Sequence, residues 1–524
     1  MLTAIFSVDA AYNYPRMITD QLLYYMKGLS LVQDGTLAAR SAVNAESPFE
    51  YASVPALIRV PFMAAFSDFD DQLRAMQVFN IVLAILLGGM MAYIFSLALP
   101  GRAHWLAVAM SFATLILNPI WVTNILSPLA DLPYAVASLG ALIIITRLIC
   151  GTDAERRSRG LKLAFIGLFI IAFGCRYTAP VLLLYAWLLF RQQKKSRPSQ
   201  ALPRSVVIAV AAILVLMVAI SFRTIVFGYF WQPFTFMLKA SQLGILLNTI
   251  ALAVPSQIVP GFDLLFVRPP VTRSFSPQFG TNPFDVGLTA LGICITAVVG
   301  YGMWASRKRL MPELAYVLAP LPILAAMIPS TPRYLLSYQP FFWVFFYAGA
   351  SRLVTGLAPG FRWRRATTVA AIAFSCVAIG AVLYIRSGRL TKGTKVTLST
   401  FSLGSTRGHS AEVSRTYRTL RRFLEALPRD RSLLLGEERS TGQWKVIAGI
   451  DYYLPDSGIA VAACARDIYV VDVCSTKALC SDFSGIIRRR EVRLLRFGRF
   501  ELEQVFATGN EYAAARVRRL RVPN

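Results

Sequence analysis

Again and again along this 524-residue chain, an apolar run of about twenty residues stops at a short cluster of arginine and lysine. A helix needs roughly that length to cross a bilayer core about 30 Å thick, and few other folds tolerate such runs in series. Spans are expected near Leu73–Ala98, Trp105–Ile125, Ala130–Ile149, Ser205–Phe222, Val286–Trp304, Glu313–Ile328, Leu335–Gly349 and Ala366–Ile385. A longer run, Leu161–Phe190, is interrupted by Arg176 and Pro180. Basic residues flank it on both sides: Arg156, Arg157, Arg159 and Lys162 before it, Arg191, Lys194, Lys195 and Arg197 after it. Arginine and lysine favour the cytoplasmic side. The run therefore reads as a hairpin of two short helices with Arg176 and Tyr177 at its tip, which makes ten spans.

Composition agrees: 56% of residues are apolar and only 16% charged, against about 25% charged in soluble domains. The net charge of +26 invites a nucleic-acid partner. Its placement in loops between apolar spans excludes that reading, because this pattern sets membrane topology. The same loops put Met1–Gln72, the Ser127 loop, residues 223–285, the Thr331–Tyr334 turn and everything after Arg386 on the outer face. Carboxylates are skewed the other way. Of fourteen acidic residues before Arg386, only Asp153, Glu155 and Glu313 fall on the cytoplasmic side, and eight precede Gln72.

Three domains follow: a first outer loop over 1–72, a multi-span region over 73–385 containing the long outer loop 223–285, and a soluble outer α/β domain over 386–524 with a net charge of +11. Met1–Phe6 is too short for a signal or a span, so a leading helix is expected to be missing from the sequence. Met17–Asp34, Ala56–Phe66 and Leu243–Val254 are too short or too polar to span and read as helices lying at the outer surface. In the last domain a helix over Ala411–Leu427 and strands at Ile459–Ala463, Ile468–Val473 and Val492–Phe497 are expected. A Cys474–Cys480 disulfide suits an oxidising outer compartment. With only His104 and His409 and no CxxC pair, zinc chemistry and Ser–His catalysis are disfavoured.

Ionisable residues at the edges of apolar spans are the functional candidates. Asp20, with Gln21 beside it and Tyr24 one helical turn on, can act as a general base or simply cap its helix. Asp131 opens an apolar helix at its outer end, where a carboxylate also favours the helix dipole. Arg333 precedes Tyr334 and Leu335 at an outer helix start and can hold a phosphate or snorkel to headgroups. Arg176, beside Tyr177, sits below the outer surface and needs an anionic partner, either a lipid phosphate or a carboxylate. Glu50, with Tyr51 in a Pro-flanked segment, is a weaker candidate with a solvated loop as its plain alternative. Carboxylates and arginines converging at one membrane surface suit transfer of a group from a lipid phosphate to an acceptor.

This ordered set resembles the GT-C glycosyltransferases of the protein O-mannosyltransferase and aminoarabinose (lipid A) transferase type. Asp20, Gln21, Tyr24 and Gly35 match the family's first outer loop, with Gln21 where an acidic residue is commoner. The segment Pro48–Pro55, Arg74 opening the next span, Asp131 opening a later one, and Arg333, Tyr334, Leu335 and Pro340 match its further motifs, over roughly residues 7–350. The resemblance implies a polytopic, mainly helical fold in a bacterial inner membrane, with the active site and the C-terminal domain on the periplasmic face. It implies a polyprenyl-phosphate sugar donor, inversion at the anomeric carbon, and a glycolipid, polysaccharide or protein acceptor. Asp20 would be the base, and Asp131 would orient the acceptor or share a proton. Arg333, Arg176 and Tyr334 would hold the donor phosphate, while Gln21, Tyr24, Glu50, Tyr51 and Tyr177 would line the acceptor pocket. Some members use a divalent metal and others none, so the cofactor stays open. Two rival readings are a flippase of lipid-linked sugars, which would show inverted repeats, and a scaffold that would tolerate loss of Asp20, Asp131 and Arg333.

Overall fold

The structure is a computed structural model. It describes residues 19–35, 40–42, 45–46, 54–98, 130–196 except 177, 242–259, 283–321, 332–357, 418–429, 431–435, 452–453, 467–474, 501–509 and 514–521, with a few single positions besides. The expected spans Trp105–Ile125, Ser205–Phe222 and Ala366–Ile385, the strands at 459–463 and 492–497, and Cys480 lie outside the described residues. The chain is mainly helical with one larger sheet and divides into two compact units.

The first unit joins Met1–Val78 to Thr397–Asn524, with Leu126–Pro128. Its helices are α1 (Thr19–Asp34), α2 (Val54–Leu57), α3 (Val60–Ala65) and the first turns of α4 (Phe69–Ala98). Gly35, at φ +68, ends α1 by donating its N–H to the Leu31 carbonyl, a left-handed stop that favours glycine. A short antiparallel pair, β1 (Arg40–Ala42) and β2 (Ala45–Glu46), follows. β3 (Ser432–Leu435), β4 (Tyr452–Tyr453), β5 (Asp467–Cys474), β6 (Glu501–Gly509) and β7 (Ala514–Arg521) form a mixed sheet in the order β4-β3-β5-β7-β6. β3 runs parallel to β4 and β5, while β7 is antiparallel to β5 and β6.

One core joins the two sequence ends of this unit. Tyr25, Met26, Met63, Phe69, Leu73 and Met76 pack with Leu420, Leu424, Leu434, Tyr469, Val471 and Val517. Around it the Tyr25 hydroxyl donates to Gln72, and Gln72 Nε2 donates to the Phe66 carbonyl at 2.6 Å. Arg421 reaches Asp68 at 3.1 Å. The helical stretch 418–425 falls within the expected Ala411–Leu427 and buries Leu420 and Leu424.

The second unit is Phe79–Ile125 with Leu129–Val396. After the rest of α4 come α5 (Asp131–Cys150), α6 (Arg159–Cys175), α7 (Val181–Ser196), α8 (Pro283–Ser306), α9 (Met311–Leu318) and α10 (Gln339–Leu357). Among the described residues three helical stretches are long and apolar enough to cross a membrane: Asp71–Ser96, Asp131–Cys150 and Pro283–Ser306. Val78, Val82, Ile85 and Leu86 form an exposed apolar stripe on α4, as do Val286, Leu291 and Ile293 on α8; such surfaces suit lipid rather than water. The hairpin expected at Leu161–Phe190 is present as α6 and α7, with Arg176 at the turn.

The helix expected over Glu313–Ile328 starts two residues earlier, at Met311, where Pro312 seats its first turn; it runs to Leu318, a turn follows at Ala319–Pro320, and most of 322–331 lies outside the described residues. One expectation is corrected. The span expected from Leu335 begins with a 3-10 segment, Pro332–Tyr338, and becomes α-helix only at Gln339; Pro340 fits a first helical turn, where no N–H is needed.

Glycines set the closest helix contacts. A Cβ on Gly302 of α8 would lie 1.8 Å from the Phe345 carbonyl oxygen of α10, and one on Gly349 would lie 2.1 Å from that of Val298. A Cβ on Gly292 would lie 2.3 Å from the Ala251 carbonyl oxygen of the segment 242–258, where Thr296 also donates to the Ile250 carbonyl at 2.6 Å. Small residues permit such approach where helices associate in lipid. Gly302→Ala is expected to lower stability by about 1–3 kcal/mol, since backbone and not a flexible side chain blocks it. Gly300→Ala, with nothing within 4 Å, should leave thermal unfolding in detergent unchanged or slightly raised.

Candidate functional site

Asp131 is the first residue of α5, and its carboxylate is only 4% exposed. The α5 N-terminus offers a partial positive charge there, but burial of a full charge asks for more. Arg176 supplies it. This residue caps the C-terminus of α6 in an extended conformation, bonding its N–H to Ala172 at 2.9 Å. Leaving the helix at that point turns its guanidinium back onto α5, where it forms an ion pair with Asp131. Of the two partners expected for Arg176, the structure provides the carboxylate. The other face of the guanidinium lies 4.3 Å from the ring centre of Tyr334, on the 3-10 segment. Three candidates from three separate regions of sequence thus meet at one end of the helical unit.

A hydroxyl cluster lies directly beneath. Tyr134, one turn beyond Asp131, bonds both Thr178 and Tyr338 at 3.0 Å. The Tyr338 ring packs at 4.9 Å on Tyr316, whose hydroxyl bonds Ser138. These groups tie α5, the hairpin turn, the 3-10 segment and α9 together. Sequence reading missed all five. The only available signals were Tyr134 one helical turn after Asp131 and Tyr338 five residues after Arg333, and both pass as ordinary apolar-helix tyrosines.

The other candidates lie on α1, in the first unit. Asp20 and Gln21 stand in its first turn. Tyr24 is buried, with the buried Arg59 guanidinium 5.1 Å from its ring centre. Lys27, seven residues after Asp20 and so on the same helix face, is 1% exposed. Gly28 lets α1 settle against α2 and α3, since a Cβ there would meet Met63 Sδ at 2.8 Å. Arg74, expected to open its span, lies within α4 as an exposed residue 3.7 Å from Asp71. Arg333 is the second residue of the 3-10 segment. Glu50, Tyr51 and Tyr177, and the side chains of Asp20, Gln21 and Arg333, lie outside the described residues. Among the described residues no group of three or more His, Cys, Asp or Glu is placed to hold a metal ion.

No family model matches the sequence, and no curated protein matches it. Among solved structures, the chain is similar to ArnT from Cupriavidus metallidurans bound to undecaprenyl phosphate. That likeness covers 98% of this chain and 96% of the other at 12% identity, with a TM-score of 0.49. It is similar also to an Archaeoglobus fulgidus oligosaccharyltransferase tethered to an acceptor peptide, over 98% of this chain and 74% of the other, at 10% identity and a TM-score of 0.49. The AglB oligosaccharyltransferase of the same organism, in complex with an inhibitory peptide and a dolichol-phosphate, is matched over 90% of this chain and 69% of the other, at 12% identity and a TM-score of 0.46.

Removing one partner of a buried ion pair strands the other charge, at a cost of about 3–5 kcal/mol, whereas replacing both with apolar groups is often neutral. Arg176→Met and Asp131→Leu should each lower the unfolding temperature in detergent sharply, and the double variant should regain most of the loss. A different sign applies to Lys27, whose burial lowers its ammonium from 10.5 to about 8. Between those values the unfolded chain binds more protons than the folded one, so stability rises with pH by roughly 3 kcal/mol across the window. Denaturant unfolding from pH 7.5 to 10.5 should show the rise, and Lys27→Met should remove it.

Proposed function

We propose that the chain is an integral-membrane glycosyltransferase of the GT-C type that takes a sugar from a polyprenyl-phosphate donor. The observation that carries the reading is the meeting of Asp131, Arg176 and Tyr334 at one helix end, with Arg333 adjacent in sequence on the same 3-10 segment. These are the residues that the family resemblance singles out, and they are far apart in sequence. The exposed apolar stripes support a membrane setting, and the multi-pass topology with a periplasmic active site is part of the proposal.

In this reading Asp20 takes the proton from an acceptor hydroxyl as that oxygen attacks the anomeric carbon. The bond from the anomeric carbon to the phosphate oxygen breaks, and the polyprenyl phosphate leaves with the electron pair. Arg333 meets the charge growing on that oxygen. Attack opposite the leaving group inverts the anomeric centre. Arg176, held by Asp131 and stacked on Tyr334, shapes the phosphate-binding end and adds little net charge of its own. Gln21, Tyr24, Glu50, Tyr51 and Tyr177 are assigned to the acceptor side. The acceptor is a glycolipid, a polysaccharide or a protein, and a divalent metal is compatible with the donor phosphate.

Asp20→Asn should lower sugar transfer from a polyprenyl-phosphate donor by about 10²–10⁴-fold while the protein still folds and binds donor. Turnover by that variant at the wild-type rate would remove Asp20 as the base.

A further inference from the structure

The helical unit has a second polar site, at the end opposite Asp131. α5 rises about 30 Å from Asp131 to Cys150. Near its far end several helix termini meet. Gln193 on α7 reaches Cys150 at 3.2 Å, and Gln192 donates to the Arg309 carbonyl at 3.1 Å. This end carries Arg147, Arg191, Lys194 and Arg307–Arg309.

Its depth relative to lipid is marked by exposed tryptophans, each one turn before an arginine. Trp187 is 54% exposed with Arg191 at 5.5 Å, and Trp304 is 58% exposed with Arg307 at 4.5 Å. Aromatic rings beneath basic residues are the usual composition of a membrane–water interface.

Just inside this belt, between α4, α5, α7, α8, α9 and α10, lies a cavity of about 310 Å³. That volume holds a headgroup but not acyl chains. Its walls are largely apolar, with Arg309, Arg352, Glu313, Tyr185, Tyr347 and Thr146 among the polar lining. Thr146 and Tyr185 already bond each other at 3.0 Å. The Glu313 carboxylate also lies beside the Tyr185 hydroxyl, but its Oε2 is buried and accepts no hydrogen bond among the described residues. The other acids at this end have local duties: Glu155 accepts from the Thr152 N–H at 2.8 Å in a capping box, and Asp153 pairs with Arg156 at 3.4 Å.

We propose that this cavity binds the headgroup of a membrane phospholipid, with Arg309 and Arg352 on its phosphodiester and Glu313 accepting a hydrogen bond from its distal group. Ethanolamine and glycerol headgroups donate such a bond, and choline does not. Two guanidiniums and one carboxylate match a phosphate that carries a donor beyond it. The acyl chains would then run along the apolar outer faces of the helices. The site is remote from Asp131 and stands independently of the transferase reading.

The test is native mass spectrometry of the purified, delipidated full chain in detergent, with added dioleoyl phosphatidylethanolamine, phosphatidylglycerol or phosphatidylcholine. One copy of the ethanolamine or glycerol lipid should bind at a concentration at least tenfold lower than the choline lipid. Equal binding of all three would overturn the proposal without recourse to any variant. Soluble phosphoethanolamine should not displace bound lipid at equal concentration; displacement would mean a site for a free phosphate compound. Arg309→Gln with Arg352→Gln should weaken all three lipids tenfold or more, and Glu313→Leu should erase the preference over choline. A folded double variant that binds as the wild type does would also refute it.

Discussion

A full negative charge at the start of a buried helix requires a full positive charge against it, and much of the helical unit is arranged around that need. The Asp131–Arg176 pair works only if α6 ends one residue before Arg176, if the chain leaves it extended, and if the turn beyond is short. The same turn brings Thr178 to the Tyr134 hydroxyl, and Tyr134 in turn fixes Tyr338. One ion pair, one cation–aromatic contact and two hydroxyl bonds thus lock the tip of a hairpin, a helix start and a 3-10 turn into one rigid corner. A buried carboxylate can be kept for its chemistry or its geometry, and here the geometry alone is demanding.

Polar groups elsewhere are segregated by the same physics. The two ends of α5 collect charge, and the length between them collects apolar side chains and glycines. Where helices carry no hydrophobic advantage over lipid, close backbone approach at Gly292, Gly302 and Gly349 and single bonds such as Thr296 to the Ile250 carbonyl supply the attraction. The first unit is held differently. Its core mixes side chains from α1, α3 and α4 with those of the sheet some 400 residues later, so burial of apolar surface holds it together.

The membrane-facing elements were legible in sequence because a long apolar run has few alternatives. α1 matches Met17–Asp34, α5 matches Ala130–Ile149, and the interrupted run is a hairpin that turns where Arg176 and Pro180 break it. β6 and β7 were not legible. Their arginines and glutamates mask the period-two pattern, which in β7 appears only once Ala515 and Val517 are buried in the core and Arg516 and Arg518 alternate with them on the other face. The 3-10 start before α10 was misjudged because hydropathy does not register where prolines permit a helix to run.

For the candidate site, sequence singled out Asp131 and Arg176, because ionisable residues at the margins of apolar helices are costly without a purpose, and the family resemblance added Tyr334. It also limited Arg176 to an anionic partner. It could not choose between a phosphate and a carboxylate, nor pick out Tyr134, Thr178, Tyr338, Lys27 or Glu313. Tyrosine and threonine inside apolar helices look alike until packing decides which hydroxyls meet. A lysine on an amphipathic face looks solvated until the helices against it close. Sequence fixes which charges lie near the membrane margin, since transfer cost is a property of each residue; tertiary structure decides which of them touch, since contact depends on helix ends and crossings that hydropathy does not encode.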